Sequence, residues 1–437
     1  FWSFLMNNAV SAFLSSHNFV RHVDVNTVAE SILDDMNRGL NGLKSDEDMI
    51  PTWCMPPKSK VVNKSVIVID AGGTNFRSCL VTFDANGVAS ISEMEKTKMP
   101  GVERELSKKE FFEQFASNLE HLKNKADSIG FCFSYPMQIT DNGDGILLGF
   151  SKEVKAPEVV GSRIGECLKE ALVARGWNEP KRVTMLNDTV AALLAGAAAS
   201  KKGREYSSYI GLILGTGMNA AYIQPAIPTR ENFPQQIVVC ESGKTRCVNR
   251  SDFDIALDKK TQKPGEFYME KLCSGAYLGP VVYEMFQVAA AEKFFSESMN
   301  KALSELKEFS TIQMSEFLAC PYNTDSDLAK LCVENNATDE DYDKLYQLLD
   351  AVAERSARHA AAILVAAVVQ SGEGKNASKP VCILCNGSTF YKTHMINNRV
   401  HAYLDAILTE QKGLYWEIVS VDDDITLGTA IAGLIEN

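Results

Sequence analysis

Residues 66–77 read Val66-Ile67-Val68-Ile69-Asp70-Ala71-Gly72-Gly73-Thr74-Asn75-Phe76-Arg77, and no other stretch constrains the fold as strongly. An unbroken run of β-branched residues specifies a buried strand. The run ends at a carboxylate, two glycines, a threonine and an asparagine, then resumes as a strand over Ser78–Phe83. Glycine lets backbone N–H groups close around phosphate oxygens, because no Cβ holds the ligand off. Thr74 and Asn75 add side-chain donors, and Asp70 stands where it could hold Mg²⁺ or its water shell. The strand–turn–strand order separates this segment from P-loops and dinucleotide fingerprints, whose glycines open a helix. The expectation is a hairpin whose tip grips phosphate.

A second segment repeats the arrangement. Ser208–Leu214 is apolar, Gly215-Thr216-Gly217 turns, and Met218-Asn219 leads into the strand Ala220–Ile223. One Gly-Thr-Gly is most often an ordinary turn. Two such turns, each following a β-branched strand, can hold a nucleotide's phosphates from opposite sides of a cleft. Gly243-Lys244-Thr245 looks like the end of a P-loop, but Val238 occupies the position of the required glycine.

These residues resemble a known family. Asp70–Arg77 and Gly215–Asn219 look like the two phosphate motifs of the sugar kinase–actin–heat-shock ATPase superfamily. Within it the chain resembles the hexokinases, glucokinase included. The likeness extends through Phe131–Pro136, Gly145–Lys152, Leu186–Ala191, Glu241–Gly243, Tyr268–Lys271, Ser274–Gly279 and Asn386–Lys392, and covers roughly residues 60–435. It implies an α/β, two-domain actin-like ATPase (ribonuclease H-like) fold with a cleft between a small and a large domain. Residues 56–189 plus 422–437 would form the small domain, and 1–55 plus 190–421 the large one.

The resemblance also implies the chemistry: transfer of the γ-phosphoryl group of ATP to the 6-hydroxyl of a hexose, glucose foremost, with Mg²⁺ assisting. Asp188 aligns with the catalytic base, and Lys152 stands where it could stabilise the transferring phosphoryl group. Read alone, Asp188 is more readily a helix cap, a common role for aspartate. Ser134, Tyr135, Ser151, Lys152, Asn187, Asp188, Asn219, Glu241 and Glu270 fall at sugar-binding positions. Carboxylates and amides suit that task because they make paired hydrogen bonds to adjacent hydroxyls. Singly, Glu241 and Glu270 read as solvated surface charge. Asp70, Gly72, Gly73, Thr74, Asn75, Arg77, Gly215, Thr216 and Gly217 would hold the nucleotide's phosphates, and Gly387 and Ser388 its adenosine end. No direct metal ligand is expected beyond the neighbourhood of Asp70. Thr338 is a further nucleotide-side candidate.

The chain departs from the family pattern at Val239, where an asparagine is usual, and at Ser242, where many members carry tryptophan. Near the C-terminus Asp424-Ile-Thr-Leu-Gly428 replaces a glycine–serine-rich turn. A non-catalytic hexokinase-like sugar sensor or interaction protein is the alternative reading, although sensing alone requires no proton acceptor.

Length and composition set the remaining bounds. At 437 residues, two domains are the default. A net charge of −12 disfavours nucleic acid or anionic lipid as the main partner, so any positive field for ATP must be local. Eleven scattered cysteines and no complete signal peptide suggest reduced thiols in a cytoplasm. Cys382-Ile-Leu-Cys385 has metal-like spacing but lacks a second pair, and it reads as buried strand. The longest strongly apolar run, Ala360–Val369, is too short to span a bilayer. Phe1–Met6 reads as part of a helix packed on the body. An amphipathic helix is expected over 24–42, a Pro-rich connector over 51–57, and several helices between 266 and 370.

Overall fold

The computed structural model describes residues 8–150, 154–198, 203–230 and 233–435. Two mixed sheets organise it. The first is five-stranded, in the order β4-β3-β2-β5-β8, with β2 Lys64–Gly72, β3 Asn75–Phe83, β4 Ala89–Lys98, β5 Ser128–Phe133 and β8 Arg182–Leu186. The second is six-stranded, in the order β1-β11-β10-β9-β12-β13. It comprises β1 Ile50–Pro51, β9 Ser208–Leu214, β10 Met218–Gln224, β11 Gln236–Val239, β12 Val381–Asn386 and β13 Trp416–Val419. The strands β6 Met137–Ile139 and β7 Gly145–Leu147 form a small separate ribbon.

Without the edge strand β1, the two sheets share one topology. In each, three strands run antiparallel in sequence order, and the last two add in parallel beside the first. The duplication hinted at by the two glycine turns therefore extends to whole sheets.

Alternation of side chains explains how each sheet is covered on both faces. On β2, Ile67, Ile69 and Ala71 join a core with Phe111, Phe115 and Leu168 from the helices Lys108–Asn118 and Ile164–Ala174. Val66 and Val68 face the other way, into a core shared with Ala430 and Ile431. On β9, Ile210, Leu212 and Leu214 pack into the largest core, which includes the Val25–Leu40 helix and most of the 33-residue helix Asp339–Ser371.

Two helices lie between the sheets, and they are exchanged. Asp188–Ala198 leaves the five-stranded sheet after β8, yet it packs on the six-stranded one. A Cβ on Gly211 of β9 would come within 2.3 Å of the Thr189 carbonyl. Asp424–Leu434 leaves the six-stranded sheet after β13 and packs on the five-stranded one. There a Cβ on Gly130 would meet the Thr429 carbonyl at 2.1 Å. The two helices touch where Gly428 passes Ala191 so closely that a Cβ would sit 1.8 Å from its carbonyl oxygen.

The helix Ile164–Ala174 follows a short 3₁₀ turn and Gly161 at φ +83°. One local expectation needs correction. The Pro-rich connector contributes a strand, since Ile50 and Pro51 pair with Val239 and Val238. Several helices do lie between 266 and 370, and Ala360–Val369 is the buried interior of the 33-residue one, Asp339–Ser371. Thr338 is exposed at the start of the Asp339–Ser371 helix. Its hydroxyl donates to the Asp341 carboxylate and accepts that residue's amide, closing a capping box. Phe1–Met6 lies outside the described residues.

Candidate active site

The site candidates gather at the carboxyl ends of the parallel strands, where open α/β sheets bind ligands. In the five-stranded sheet, Asp70, Cys132 and Leu186 stand in one row across β2, β5 and β8. Just beyond that row come Gly72, Ser134, Asn187 and Asp188.

The first glycine turn is a two-residue hairpin loop, with Gly72 paired to Asn75 and Gly73 at φ +54°. Glycine is required at both positions, for different reasons. Gly73 needs the left-handed region. Gly72 needs room, because a Cβ there would lie 2.7 Å from that of Ser134. Gly73, Thr74 and Asn75 are exposed, and among the described residues neither the Gly73 nor the Thr74 amide donates to protein. Such amides suit phosphate oxygens. Arg77 Nη1 stands 3.5 Å from Asp70 Oδ2. Burial raises the Asp70 carboxyl, and Arg77 opposes the shift. Tyr135 is buried, and its hydroxyl donates to the Gly73 carbonyl at 2.9 Å, so it supports the tip from below.

The second turn is braced by residues far away in sequence. The Gly215 carbonyl accepts from the Gly275 amide and the Thr389 hydroxyl, both at 2.8 Å. Gly387, at φ +121°, lies so close that a Cβ would sit 2.2 Å from the Leu214 carbonyl oxygen. Ser388 is exposed and begins the short helix Ser388–Lys392. The bracing roles of Gly275 and Thr389 went unread in the sequence, where only the Ser274–Gly279 and Asn386–Lys392 motifs pointed to them.

Between the turns lies a group of carboxylates. Asp188 opens the Asp188–Ala198 helix, but it is not the cap. Asn187 is: its Oδ1 accepts the Thr189 amide at 2.9 Å, and its carbonyl accepts the Ala191 amide at 3.1 Å. Asp188 Oδ1 accepts the adjacent Thr189 amide, at 2.8 Å. Part of the residue remains open to the cleft. Burial, reinforced by the charges of Glu241 and Asp70, pushes its carboxyl up to about 6 against the Thr189 hydrogen bond. Glu241 receives Asn219 Nδ2 at 2.9 Å, and Glu270 receives the Met218 amide at 3.1 Å. Burial raises both carboxyls as well. Burial raises all four carboxyls, Glu241 adds to the shift at Asp188 and Glu270, and such a group favours a ligand rich in hydroxyl donors.

Ser134 is exposed beside Gly72. Ser151 and Lys152 lie outside the described residues. Cys382 and Cys385 face opposite sides of β12, with Cys385 in the large core and Cys382 against the Gly196 carbonyl. Among the described residues no group of His, Cys, Asp and Glu has metal-binding geometry, and no helix is long and apolar enough to cross a membrane.

Comparison with known proteins places this geometry. Two family models, both described as hexokinase, match residues 11–198 and 209–435. Hexokinase-1 of Schizosaccharomyces pombe is 26% identical over 435 residues, covering 94% of this chain and 87% of that protein. Hexokinase-1 of Oryza sativa subsp. japonica is 27% identical, over 82% of this chain and 77% of that one. A Schistosoma mansoni hexokinase solved with glucose superposes at a TM-score of 0.78 and 22% identity, covering 98% of this chain and 99% of that one. This structural likeness shows the fold, the two-domain actin-like sugar kinase architecture. With the family models spanning both glycine turns and the carboxylate group, the chain belongs to the hexokinase family.

Proposed function

We propose that this chain is an ATP-dependent hexokinase that phosphorylates the 6-hydroxyl of a hexose, glucose foremost, in the cytoplasm. The observation that carries the reading is Asp188. It stands at a helix start, one residue past the Asn187 cap and within the field of Asp70 and Glu241. A carboxyl near 6 is ionised at neutral pH, yet basic enough to receive a proton from a sugar hydroxyl.

Phosphoryl transfer leaves little covalent work to the protein, so positioning dominates. Asn187, Asn219, Glu241 and Glu270 orient the sugar ring, together with Ser134 and Ser151, so that the reacting oxygen faces Asp188. Asp188 orients that hydroxyl and accepts its proton late in the transfer. The amides of the Gly72–Asn75 and Gly215–Gly217 turns, with Arg77, hold the phosphates. Gly387 and Ser388 admit the adenosine. Lys152 joins them on its sequence position. Mg²⁺ fits beside Asp70, whose carboxylate lies just below the first turn next to Arg77; when bound, the ion would neutralise phosphate charge. The small domain is 56–189 with 422–437 and the large domain 1–55 with 190–421, a division supported by the exchange of the two central helices.

A coupled assay over a panel of hexoses and nucleotide donors tests the reading. Asp188→Asn should lower kcat by roughly 10²–10⁴-fold while calorimetric glucose binding persists. Wild-type protein that binds glucose without turnover would instead make it a sensor.

A further inference from the structure

Glu241 carries an unusual backbone. It sits at φ +60°, ψ +43°, a left-handed conformation that a residue with a side chain adopts only when its surroundings hold it there. The holding contacts come from the N-terminal segment Asp46-Glu47-Asp48. Lys244 Nζ pairs with Asp48 Oδ2 at 2.5 Å, and the Arg246 amide donates to Asp46 Oδ2 at 3.1 Å. Between these two contacts, the Thr245 hydroxyl donates to Glu47 Oε1 at 2.7 Å. The Met49 amide and the Ile50–Val239 pairing then fasten the segment to the strand that delivers Glu241.

The segment is itself anchored. Asp35, on the Val25–Leu40 helix, accepts the amides of Asp46 and Glu47 at 2.9 and 2.8 Å. Gly39 lets the loop lie against that helix, since a Cβ there would fall 2.7 Å from Met49 Cγ. Glu47 is the centre of the arrangement. It is 1% exposed, and its Oε2 has no partner among the described residues. A fully buried glutamate is costly unless it does something its neighbours need.

We propose that Glu47 is a positioning residue that fixes the Glu241 turn through Thr245 and so sets hexose affinity. The proposal deepens the hexokinase reading and rests on it. Burial, with the charges of Asp35, Asp46 and Glu241, pushes the Glu47 carboxyl up to about 8, so it is neutral at pH 7. Lys244, Arg246 and Asp48 face the same turn from its two sides. The Cys240 and Cys247 thiols and the Tyr222 phenol, which also sense Glu47, are raised above their ordinary values by burial. They stay protonated while Glu47 ionises, and an anion there strains the turn against Asp35, Asp46 and Glu241.

The test is calorimetric titration of glucose into the full chain at pH 7 and pH 9, alongside steady-state kinetics. Glu47→Ala should weaken glucose binding about tenfold or more at pH 7 and leave the ATP KM within about twofold. Glu47→Gln, which keeps shape and neutrality, should bind glucose like wild type at pH 7. It should also lack the loss of affinity that wild type shows between pH 7 and 9. A folded Glu47→Ala with native glucose affinity overturns the proposal, as does a Glu47→Gln whose pH response parallels wild type. If Glu47→Ala does not fold, the Glu47→Gln comparison decides alone. Wild-type protein that binds and phosphorylates no hexose overturns the kinase reading itself, a different result from variants that merely match an active wild type.

Discussion

Helix dipoles favour an ionised carboxylate at the first turn, yet the Asp188 carboxyl is raised to about 6. Burial among other acids outweighs the dipole. The same shift governs two pH dependences. As a base, Asp188 must be ionised, so kcat/KM should fall below about pH 6, and Asp188→Asn should lack that acid limb. For stability the sign is opposite. The folded carboxyl binds its proton more tightly than the unfolded one, whose ordinary value is 3.8. The stability present below that value is lost as pH rises through about 6, a cost of at most about 3 kcal/mol at neutral pH. Asp188→Asn should therefore be inactive but more resistant to urea at pH 7.5; a variant less stable than wild type would contradict the assignment of burial as the cause. From sequence alone, Asp188 reads more readily as the cap of its helix. Both side chains accept the Thr189 amide, and it is the Asn187 carbonyl on the Ala191 amide that marks Asn187 as the cap; no spacing rule distinguishes adjacent Asn and Asp as caps.

Among elements, the hairpins were the most legible. β-branched runs bounded by Gly-Gly-Thr and Gly-Thr-Gly leave few alternatives, and both hairpins appear with their tips at those residues. Helix 24–42 was readable from its apolar stripe. The long Asp339–Ser371 helix was not, because a helix buried on every side loses the periodicity that marks an amphipathic one. The two-residue strand at Ile50–Pro51 was hidden for another reason: proline is tolerated at a sheet edge, where pattern reading treats it as a break. The crossing of the central helices was equally invisible, since its signal is a single glycine. Gly428→Ala would drive a methyl group into the Ala191 carbonyl, which backbone cannot yield cheaply. A loss of about 1–3 kcal/mol in urea unfolding is expected, and an unchanged midpoint would mean the helices can slide apart freely.

At the scale of the molecule, the two sheets share that helix pair and the core around it, and the proposed site lies along the ends of both sheets. Glucose binding should therefore draw the sheets together, expelling water that would otherwise take the phosphoryl group. Small-angle scattering should show a smaller radius of gyration with glucose than without, and identical curves would count against closure. The −12 charge expected to trouble nucleotide binding is partly concentrated in the site itself, where Asp70, Asp188, Glu241 and Glu270 bias the cleft toward hydroxyl donors. Composition reported the total, and only the fold reveals where it falls.

The exchanged helices bear on descent. A polypeptide consisting of one half alone would leave the inner face of its sheet bare, because the helix suited to cover it belongs to the other half. Two identical copies could cure this by trading terminal helices across a twofold axis. The simplest forerunner of this chain is thus a symmetric pair, later joined end to end, whose once-equivalent grooves were then free to specialise.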